Sequence, residues 1–145
     1  MLTQEEIEKY SRQILLDELG VDGQLKIKKS KVLVIGAGGL GCPVLQYICA
    51  AGVGEIGIVD NDTVEKSNLH RQILFGHSSI GKLKTEEAKK RLNEINPLST
   101  IKVHSCTIDV SNSIELIAQY DIVVDCTDNY QTRYLINDTC YMLNK

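Results

Sequence analysis

Charged and amide side chains gather in four short clusters whose chemistry suits a polyphosphate. Two clusters contain a cation, Arg71 or Lys84, and two contain carboxylates. Arginine and lysine balance phosphate charge, and an aspartate beside phosphates is a ligand for Mg²⁺. A nicotinamide dinucleotide carries fewer charges and needs no metal, so this combination indicates triphosphate chemistry. The clusters are Asp60-Asn-Asp62, Asn68-Leu-His-Arg-Gln72, Gly81-Lys-Leu-Lys84 and Thr127-Asp-Asn129.

A glycine-rich turn, Gly36-Ala-Gly-Gly-Leu-Gly41, follows a predicted strand and opens a predicted helix. Gly36 permits the tight turn, Gly38 lets the backbone approach a phosphate, and Gly41 lets helix and strand pack closely. The N–H groups at the helix start then face an anion. Asp60 lies nineteen residues after Gly41, at the end of the next predicted strand, where a carboxylate accepts hydrogen bonds from ribose hydroxyls. The turn predicts a nucleotide site, but it does not choose between NAD(P) and ATP.

Over most of the chain, short runs of β-branched residues alternate with stretches in which apolar residues have helical spacing. The predicted strands are Lys31–Ile35, Glu55–Val59, Thr100–Ser105 and Asp121–Asp125. The predicted helices are Leu40–Ala51, Lys82–Asn96, Ser113–Tyr120 and Tyr130–Leu143. This alternation predicts a Rossmann-like α/β fold with three layers, a mostly parallel sheet between helices. The carboxyl ends of parallel strands share one edge, so the charged clusters should meet beside the glycine turn.

Helical spacing also predicts which faces of the helices point inward. In the helix after the turn, the expected inward face is formed by Leu40, Val44, Tyr47, Ile48 and Ala51. In the helix that follows the long polar link from Asn61 to Gly81, it is formed by Leu83, Ala88, Leu92 and Ile95.

The first 29 residues predict helices. Thr3-Gln-Glu-Glu6 is a capping box, and the helix that it opens should stop at Gly20. A short amphipathic segment follows up to Lys29. We therefore expect an N-terminal helical segment, residues 1–29, and an ATP-binding domain, residues 30–145. The apolar face of the first helix is predicted to be Ile7, Tyr10, Ile14 and Leu15.

Composition excludes several classes of function. The net charge is −3 and no run of like charge occurs, so neither nucleic acid nor a membrane surface is an expected partner. The longest mostly apolar run, Val32 to Leu45, is too short to span a bilayer and is broken by glycines. The five cysteines are odd in number and show no CxxC spacing, which argues against disulfides and against a zinc site within this chain. The cytoplasm is the expected compartment.

Six motifs in this order and spacing resemble the ThiF/MoeB/HesA family of adenylyltransferases, relatives of ubiquitin-activating enzymes. The family activates ubiquitin-like sulfur carriers of molybdopterin and thiamine biosynthesis. The resemblance covers nearly the whole chain. The motifs are Tyr10-Ser-Arg-Gln-Ile14, Gly36-Ala-Gly-Gly-Leu-Gly41, Val59-Asp-Asn-Asp-Thr-Val64, Ser67-Asn-Leu-His-Arg-Gln-Ile73, Gly81-x-x-Lys84 and Asp125-Cys-Thr-Asp-Asn129.

This resemblance implies ATP-dependent adenylation of the C-terminal glycine carboxylate of a small ubiquitin-like sulfur carrier, with ATP and Mg²⁺ as cofactors. It implies that Arg71 and Lys84 contact phosphates and that Asp128 holds Mg²⁺. It also implies that Arg12 reaches into the site of a partner subunit, so that the protein is a homodimer. The remaining implied nucleotide-binding residues are Gly36, Gly38, Gly39 and Gly41 at the phosphates, Asp60 at the ribose, Asn68 at a phosphate, and Asp62 and Gln72 nearby.

Each of the four catalytic candidates has an ordinary structural alternative. Arg71 could form a surface ion pair, and Lys84 could be a common helix-start lysine. Asp128 could cap the helix after it, and Arg12 could be a solvated helix position.

Two other functions also fit parts of the sequence. An NAD-dependent oxidoreductase domain would need only the glycine turn and Asp60, which would favour NAD over NADP. A non-catalytic scaffold fragment would have no need for Arg71, Lys84 and Asp128 together. Members of the resembled family usually continue beyond the point that corresponds to Lys145, often with two CxxC pairs. We therefore expect a truncated piece with poor catalysis of its own, and zinc only in the missing part.

Overall fold

Four short strands form one central sheet in the computed structural model, which describes all residues from 1 to 145. The strands are β1 (Lys31–Ile35), β2 (Glu55–Val59), β3 (Thr100–His104) and β4 (Ile122–Asp125). Their order across the sheet is β3-β2-β1-β4, and every neighbouring pair is parallel. The direction of chain progression reverses between β1 and β4, and such a switch point opens a crevice at the carboxyl ends of the strands.

Helices connect the strands and cover both faces of the sheet. They are α1 (Gln4–Lys9), α2 (Ser11–Ile14), α3 (Gly20–Lys29), α4 (Gly41–Ala50), α5 (Lys84–Ile95), α6 (Ser113–Ala118) and α7 (Tyr130–Met142). Two single 3₁₀ turns, Lys66–Asn68 and His77–Ser79, lie in the long link between β2 and α5. None of the helices has the length and apolar character needed to cross a bilayer.

Two apolar clusters lie on opposite faces of the sheet, because successive side chains of a strand point to opposite sides. Val32 and Val34 of β1 belong to the larger cluster, together with side chains of α4 and α5. Leu33 and Ile35 belong to the smaller cluster, which α6 and α7 complete. The predicted three-layer α/β fold is therefore confirmed, with a sheet that is parallel throughout.

A buried polar network attaches the N-terminal helices to the amino-terminal edge of the sheet. Gln13 and Gln24 both donate to the carbonyl of Ala51 (2.8 and 3.0 Å), which lies just before β2. The Tyr10 hydroxyl accepts a hydrogen bond from Asn96 Nδ2 (2.9 Å). Helix α2 therefore lies at the edge opposite to the carboxyl ends of the strands.

The predicted helix from the capping box to Gly20 is wrong in its length, and of its predicted apolar face only Tyr10 is buried. The capping box is present, but the helix ends at Lys9 and Gly20 begins α3 with φ +57°. Ile7 and Leu15 are exposed, whereas Tyr10 is buried. Burial at this end is decided by the polar network around Tyr10, which hydrophobic spacing does not register.

The predicted inward face of α4 is right for Val44 and Ile48, which pack against the core, and wrong for Leu40 and Tyr47. Cys42, Leu45 and Cys49 are fully buried, whereas Leu40 and Tyr47 are exposed. Close packing of the helix against β1 favours the small thiol side chains on the inner face. Leu83 is likewise exposed, because it precedes α5 rather than lying within it. The boundaries of the other predicted elements agree with the structure to within two residues, which is the usual uncertainty at helix and strand ends.

Candidate functional site

A cleft of about 760 Å³ opens at the carboxyl ends of the strands, within the range of small-molecule sites. Its walls contain ten of the twelve predicted site residues. Gly41 and Arg12 are the two that do not line it. The ten are Gly36, Gly38, Gly39, Asp60, Asp62, Asn68, Arg71, Gln72, Lys84 and Asp128.

The register of the sheet explains why these residues meet. Ile35 at the end of β1 lies opposite Val59 of β2 and Asp125 of β4. The glycine turn, Asp60 and the segment that contains Asp128 therefore leave the sheet at the same level.

Two glycines of the turn are required by the fold itself. Gly36 has φ +98°, and a Cβ atom there would lie 2.8 Å from the carbonyl oxygen of Cys126. A Cβ atom on Gly41 would lie 1.9 Å from the carbonyl oxygen of Gly36. Neither space can accommodate a methyl group, so these positions shape the turn.

The other two glycines of the turn are free of such constraints within the chain. A Cβ atom on Gly38 would meet only Gln72 Nε2 at 3.7 Å, and one on Gly39 would meet only the Arg71 side chain at 3.6 Å. Both are ordinary van der Waals distances. Because Gly38 and Gly39 line the cleft, a side chain there would take space from a bound molecule, which fits a backbone cradle for phosphate.

Asp60 ties the end of β2 to the glycine turn. Its Oδ2 accepts a hydrogen bond from the N–H of Ala37, and its Oδ1 accepts one from the N–H of Asp62, both at 2.8 Å. Each oxygen keeps a second lone pair, so the carboxylate can still accept hydrogen bonds from ribose hydroxyls.

Lys84 begins α5 and forms an ion pair on the wall of the cleft. Its Nζ lies 2.7 Å from Asp62 Oδ2, and the lysine side chain is only 7% exposed. The backbone N–H of Lys84 also donates to the carbonyl of Asp62 (3.0 Å). An ordinary helix-start lysine is solvated, so the structure is at odds with that alternative.

Arg71 lies against the glycine turn, with Cγ and Cδ next to Gly39. Its Nη1 donates to the carbonyl of Ser67 (3.2 Å) and lies 2.9 Å from His70 Nε2. Arg71 belongs to none of the ion pairs of the chain, so the surface ion-pair alternative is wrong. The guanidinium is a positive charge beside the cradle that no carboxylate neutralises.

Asp128 is not the cap of the helix that follows it. Asn129 takes that position, and its Oδ1 accepts a hydrogen bond from the N–H of Thr132 (2.9 Å). Asp128 lines the cleft and is exposed, and its carboxylate belongs to no ion pair of the chain. It is therefore free to bind a cation.

The donor set fits Mg²⁺ only as an ion that arrives with phosphates. No group of three or more His, Cys, Asp and Glu side chains is arranged to hold a metal ion. Mg²⁺ usually keeps several waters and binds through one or two carboxylates plus substrate phosphates. Asp128 can supply that single carboxylate.

Asn68 ends the first 3₁₀ turn, and Gln72 lies in the segment that follows it. Asn68 Oδ1 accepts a hydrogen bond from the N–H of Glu65 (3.2 Å). Gln72 Oε1 is the one buried side-chain oxygen or nitrogen in the chain that has no hydrogen-bond partner. Buried polar atoms are normally paired, so Gln72 Oε1, an acceptor, calls for a donor such as a ligand hydroxyl. The Gln72 Nε2 group beside Gly38 has no partner either, and it can donate to a phosphate oxygen.

Sequence reasoning missed one wall of the cleft. Cys106, Thr107 and Ile108, which follow β3, contribute to it. The rule that strand ends share an edge would have found them, but they carry no charge to attract attention. Burial raises the pKa of the Cys106 and Cys126 thiols, so both stay protonated at neutral pH and neither is a thiolate nucleophile.

Arg12 does not reach the cleft of its own chain. It is exposed on α2, at the edge of the sheet opposite to the cleft. The role of Arg12 in a partner subunit therefore stays a prediction, because the structure contains only one chain.

Comparison with known proteins gives a consistent set of similar proteins. The model of the ThiF family matches residues 10–145. The protein named adenylyltransferase and sulfurtransferase MOCS3 of Drosophila sechellia is 53% identical over 144 residues, which are 99% of this chain and 32% of that protein. The adenylyltransferase and sulfurtransferase UBA4 of Vanderwaltozyma polyspora is 52% identical over 140 residues, 96% of this chain and 32% of that protein. The chain thus spans 32% of the length of these curated relatives.

Two solved structures illustrate the likeness in three dimensions. The crystal structure of Escherichia coli MccB with AMPCPP and MccA has a TM-score of 0.82 and 30% identity, and the match covers 94% of this chain and 42% of MccB. The crystal structure of E. coli tRNA N6-threonylcarbamoyladenosine dehydratase, TcdA, in complex with ATP has a TM-score of 0.93 at 21% identity. It covers 99% of this chain and 59% of TcdA and supports the fold.

Proposed function

The chain belongs to the ThiF family, and from this premise we propose that it adenylates the C-terminal glycine carboxylate of a small ubiquitin-like sulfur carrier with ATP. The observation that carries the proposal is the meeting of Arg71, Lys84 and Asp128 in one cleft beside the glycine turn. The relatives are named adenylyltransferases, and the similar MccB was crystallised with AMPCPP, an ATP analogue, and with MccA. These names support an enzyme that uses ATP and acts on a second polypeptide.

In this proposal the nucleotide lies across the carboxyl ends of the strands. Asp60 accepts hydrogen bonds from the ribose hydroxyls, and Gly38 and Gly39 let the backbone approach the phosphates. Asn68 and Gln72 donate amide hydrogens to phosphate oxygens from the wall beside the turn. Bound Mg²⁺, held by Asp128 and the phosphates, would neutralise phosphate charge.

The reaction needs no general base. A C-terminal carboxylate is already ionised at neutral pH, and one of its oxygens attacks the α-phosphorus of ATP. A new phosphorus–oxygen bond forms while the bond from the α-phosphorus to the bridging oxygen breaks. Pyrophosphate leaves with the electron pair, and the product is the acyl-adenylate. Arg71 and Lys84 stabilise the charge that builds on the phosphates, so catalysis consists of alignment and charge neutralisation.

A second copy of the chain completes the site in this proposal. Arg12 is exposed and does not line its own cleft, so its proposed role is in the cleft of another chain. We therefore propose a homodimer in which each Arg12 approaches the phosphates bound by its partner.

Asp128→Ala tests the role of the free carboxylate in ATP–pyrophosphate exchange with a carrier that has a free C-terminal glycine. We expect the wild-type chain to exchange slowly and only when the carrier is present, and the variant to lose about 100-fold or more of that rate. Asp138→Ala, which removes an exposed carboxylate from α7, is the matched control and should exchange like wild type. An Asp128→Ala variant with the wild-type rate would remove Asp128 from this role.

A further inference from the structure

Lys84 is a buried cation that depends on one carboxylate. Its side chain is 7% exposed, whereas that of its partner Asp62 is 62% exposed. Asp62 is the one side chain that accepts a hydrogen bond from Lys84 Nζ. A buried ammonium is stable only when it is paired, so the position of this ammonium on the wall of the cleft depends on Asp62.

Asp62 is itself held by the backbone on both sides. Its N–H donates to Asp60 Oδ1 (2.8 Å), and its carbonyl accepts from the N–H of Lys84 (3.0 Å). Asp60 in turn accepts a hydrogen bond from the N–H of Ala37 in the glycine turn. An unbroken series of hydrogen bonds thus runs from the glycine turn through the two aspartates to Lys84.

The charge of Asp62 is unfavourable for a polyanionic ligand. The charged side chains on the walls of the cleft are Asp60, Asp62, Glu65, Arg71, Lys84 and Asp128. Asp60 has a place at the ribose and Asp128 has one at the cation, but an exposed Asp62 carboxylate would only repel phosphates. If it had no other task, replacing it with an amide would strengthen nucleotide binding.

We propose that Asp62 is a positioning residue that holds the Lys84 ammonium where the phosphates of the nucleotide lie. The inference rests on the proposed function, because it assumes a phosphate ligand. Asp62 acts through Lys84 and needs no contact with the nucleotide. Its effect on nucleotide binding should therefore disappear once the lysine charge is gone.

The test compares Asp62→Asn, Lys84→Met, the double variant and Asp62→Glu in the full chain. Glu87→Gln is the matched control, because Glu87 lies on the same helix as Lys84 but outside the cleft, and the change removes the carboxylate of the Lys82–Glu87 pair. The midpoint of thermal unfolding without nucleotide reports how much the Lys84–Asp62 ion pair contributes to stability. Isothermal titration with ATP and Mg²⁺ reports nucleotide binding.

In the unfolding experiment the two single variants, Asp62→Asn and Lys84→Met, should lose stability to different extents. Asp62→Asn leaves a buried charge without a partner, so its unfolding midpoint should fall further than that of Lys84→Met, which leaves an exposed carboxylate. The double variant should unfold close to Lys84→Met. A wild-type midpoint for Asp62→Asn would overturn the dependence of Lys84 on Asp62.

The titration separates positioning from simple charge repulsion. We expect Lys84→Met to weaken ATP binding about tenfold and Asp62→Asn to weaken it about three- to tenfold. The double variant should match Lys84→Met, Asp62→Glu should recover most of the affinity, and Glu87→Gln should bind ATP like wild type. The inference is overturned if Asp62→Asn binds ATP as tightly as wild type or more tightly, or if the two losses multiply. A wild-type chain that binds no ATP overturns the proposed function first, and the inference falls with it.

Discussion

Gly38 and Gly41 lie three residues apart in one turn, yet the structure constrains them in different ways. At Gly41 the chain itself leaves no room for a Cβ atom, whereas at Gly38 only the cleft would receive it. The sequence motif already predicts different roles for them, phosphate approach for Gly38 and close packing for Gly41. In the structure the fold requires Gly41, whereas a side chain on Gly38 would enter the cleft.

Alanine substitutions should separate these two requirements. Gly41→Ala should lower the free energy of unfolding by about 2–4 kcal/mol, because the methyl group collides with the carbonyl of Gly36. Gly38→Ala should change it by less than about 1 kcal/mol but weaken ATP binding about tenfold, because the methyl group lies in the phosphate cradle. Denaturant unfolding and isothermal titration of both variants measure the two effects. Equal loss of stability in both would contradict this division.

Individual site residues could be predicted from type and spacing, but their partners could not. Arg71, Lys84 and Asp128 could be predicted because charged residues in, or directly after, the segments between strands and helices are visible in a sequence. The pairing of Lys84 with Asp62 across 22 residues depends on how the long link folds back, which local spacing does not specify. That Gln72 Oε1 lacks a hydrogen-bond partner likewise cannot be predicted from the sequence, because it depends on how the side chain is buried.

Among the elements, the strands were predicted better than the helices. Each strand is rich in β-branched residues, and the two central strands, β1 and β2, are buried on both faces, so hydrophobicity marks their bounds. A helix is buried on one side, and in α4 that side carries two cysteines. The positions of the large apolar residues therefore predict the buried face of α4 only in part.

Helix α1 provides a pH-dependent test at this scale. Both carboxylate oxygens of Glu6 lie 2.8 Å from Lys28 Nζ in α3. The hydrogen bond from Lys28, followed by that from the Thr3 backbone, lowers the pKa of Glu6 below its usual 4.5. The folded state therefore releases this proton more readily than the unfolded state. The resulting stability is complete above about pH 4.5 and is lost as the pH falls through the lowered pKa.

Glu6→Gln should remove this contribution. At pH 7 the variant should be less stable than wild type by about 0.5–1 kcal/mol, and the difference should shrink as the pH falls from 5 to 3. Glu5→Gln, at an exposed neighbouring position, should show no such trend. Urea unfolding at several pH values measures it, and a constant difference across that range would speak against the ion pair.

At the scale of the whole molecule, the order of the strands brings the motifs together. The alternation of strands and helices predicts parallel pairing, but it does not specify that β4 lies beside β1. Crossover connections can place a strand at either edge. That placement brings Asp128 next to the glycine turn, so the charged cleft is a property of the topology as much as of its residues.

Mixing two inactive variants tests whether the site is shared between chains. Arg12→Ala and Asp128→Ala should each lose exchange activity alone. In a dimer with exchange of subunits, half of the mixed dimers are heterodimers with one intact site of two, so the mixture should regain about a quarter of the wild-type rate. A mixture as inactive as its components would place Arg12 outside the partner's cleft.

The most direct test of the central claim is isothermal titration of the wild-type chain with ATP and Mg²⁺ and, separately, with NAD. Two cations and a free carboxylate beside a glycine cradle predict saturable binding of ATP that requires Mg²⁺ and weakens in Asp128→Ala, with much weaker binding of NAD. Binding of NAD in preference to ATP, or ATP binding that is indifferent to Mg²⁺ and to Asp128, would contradict the account.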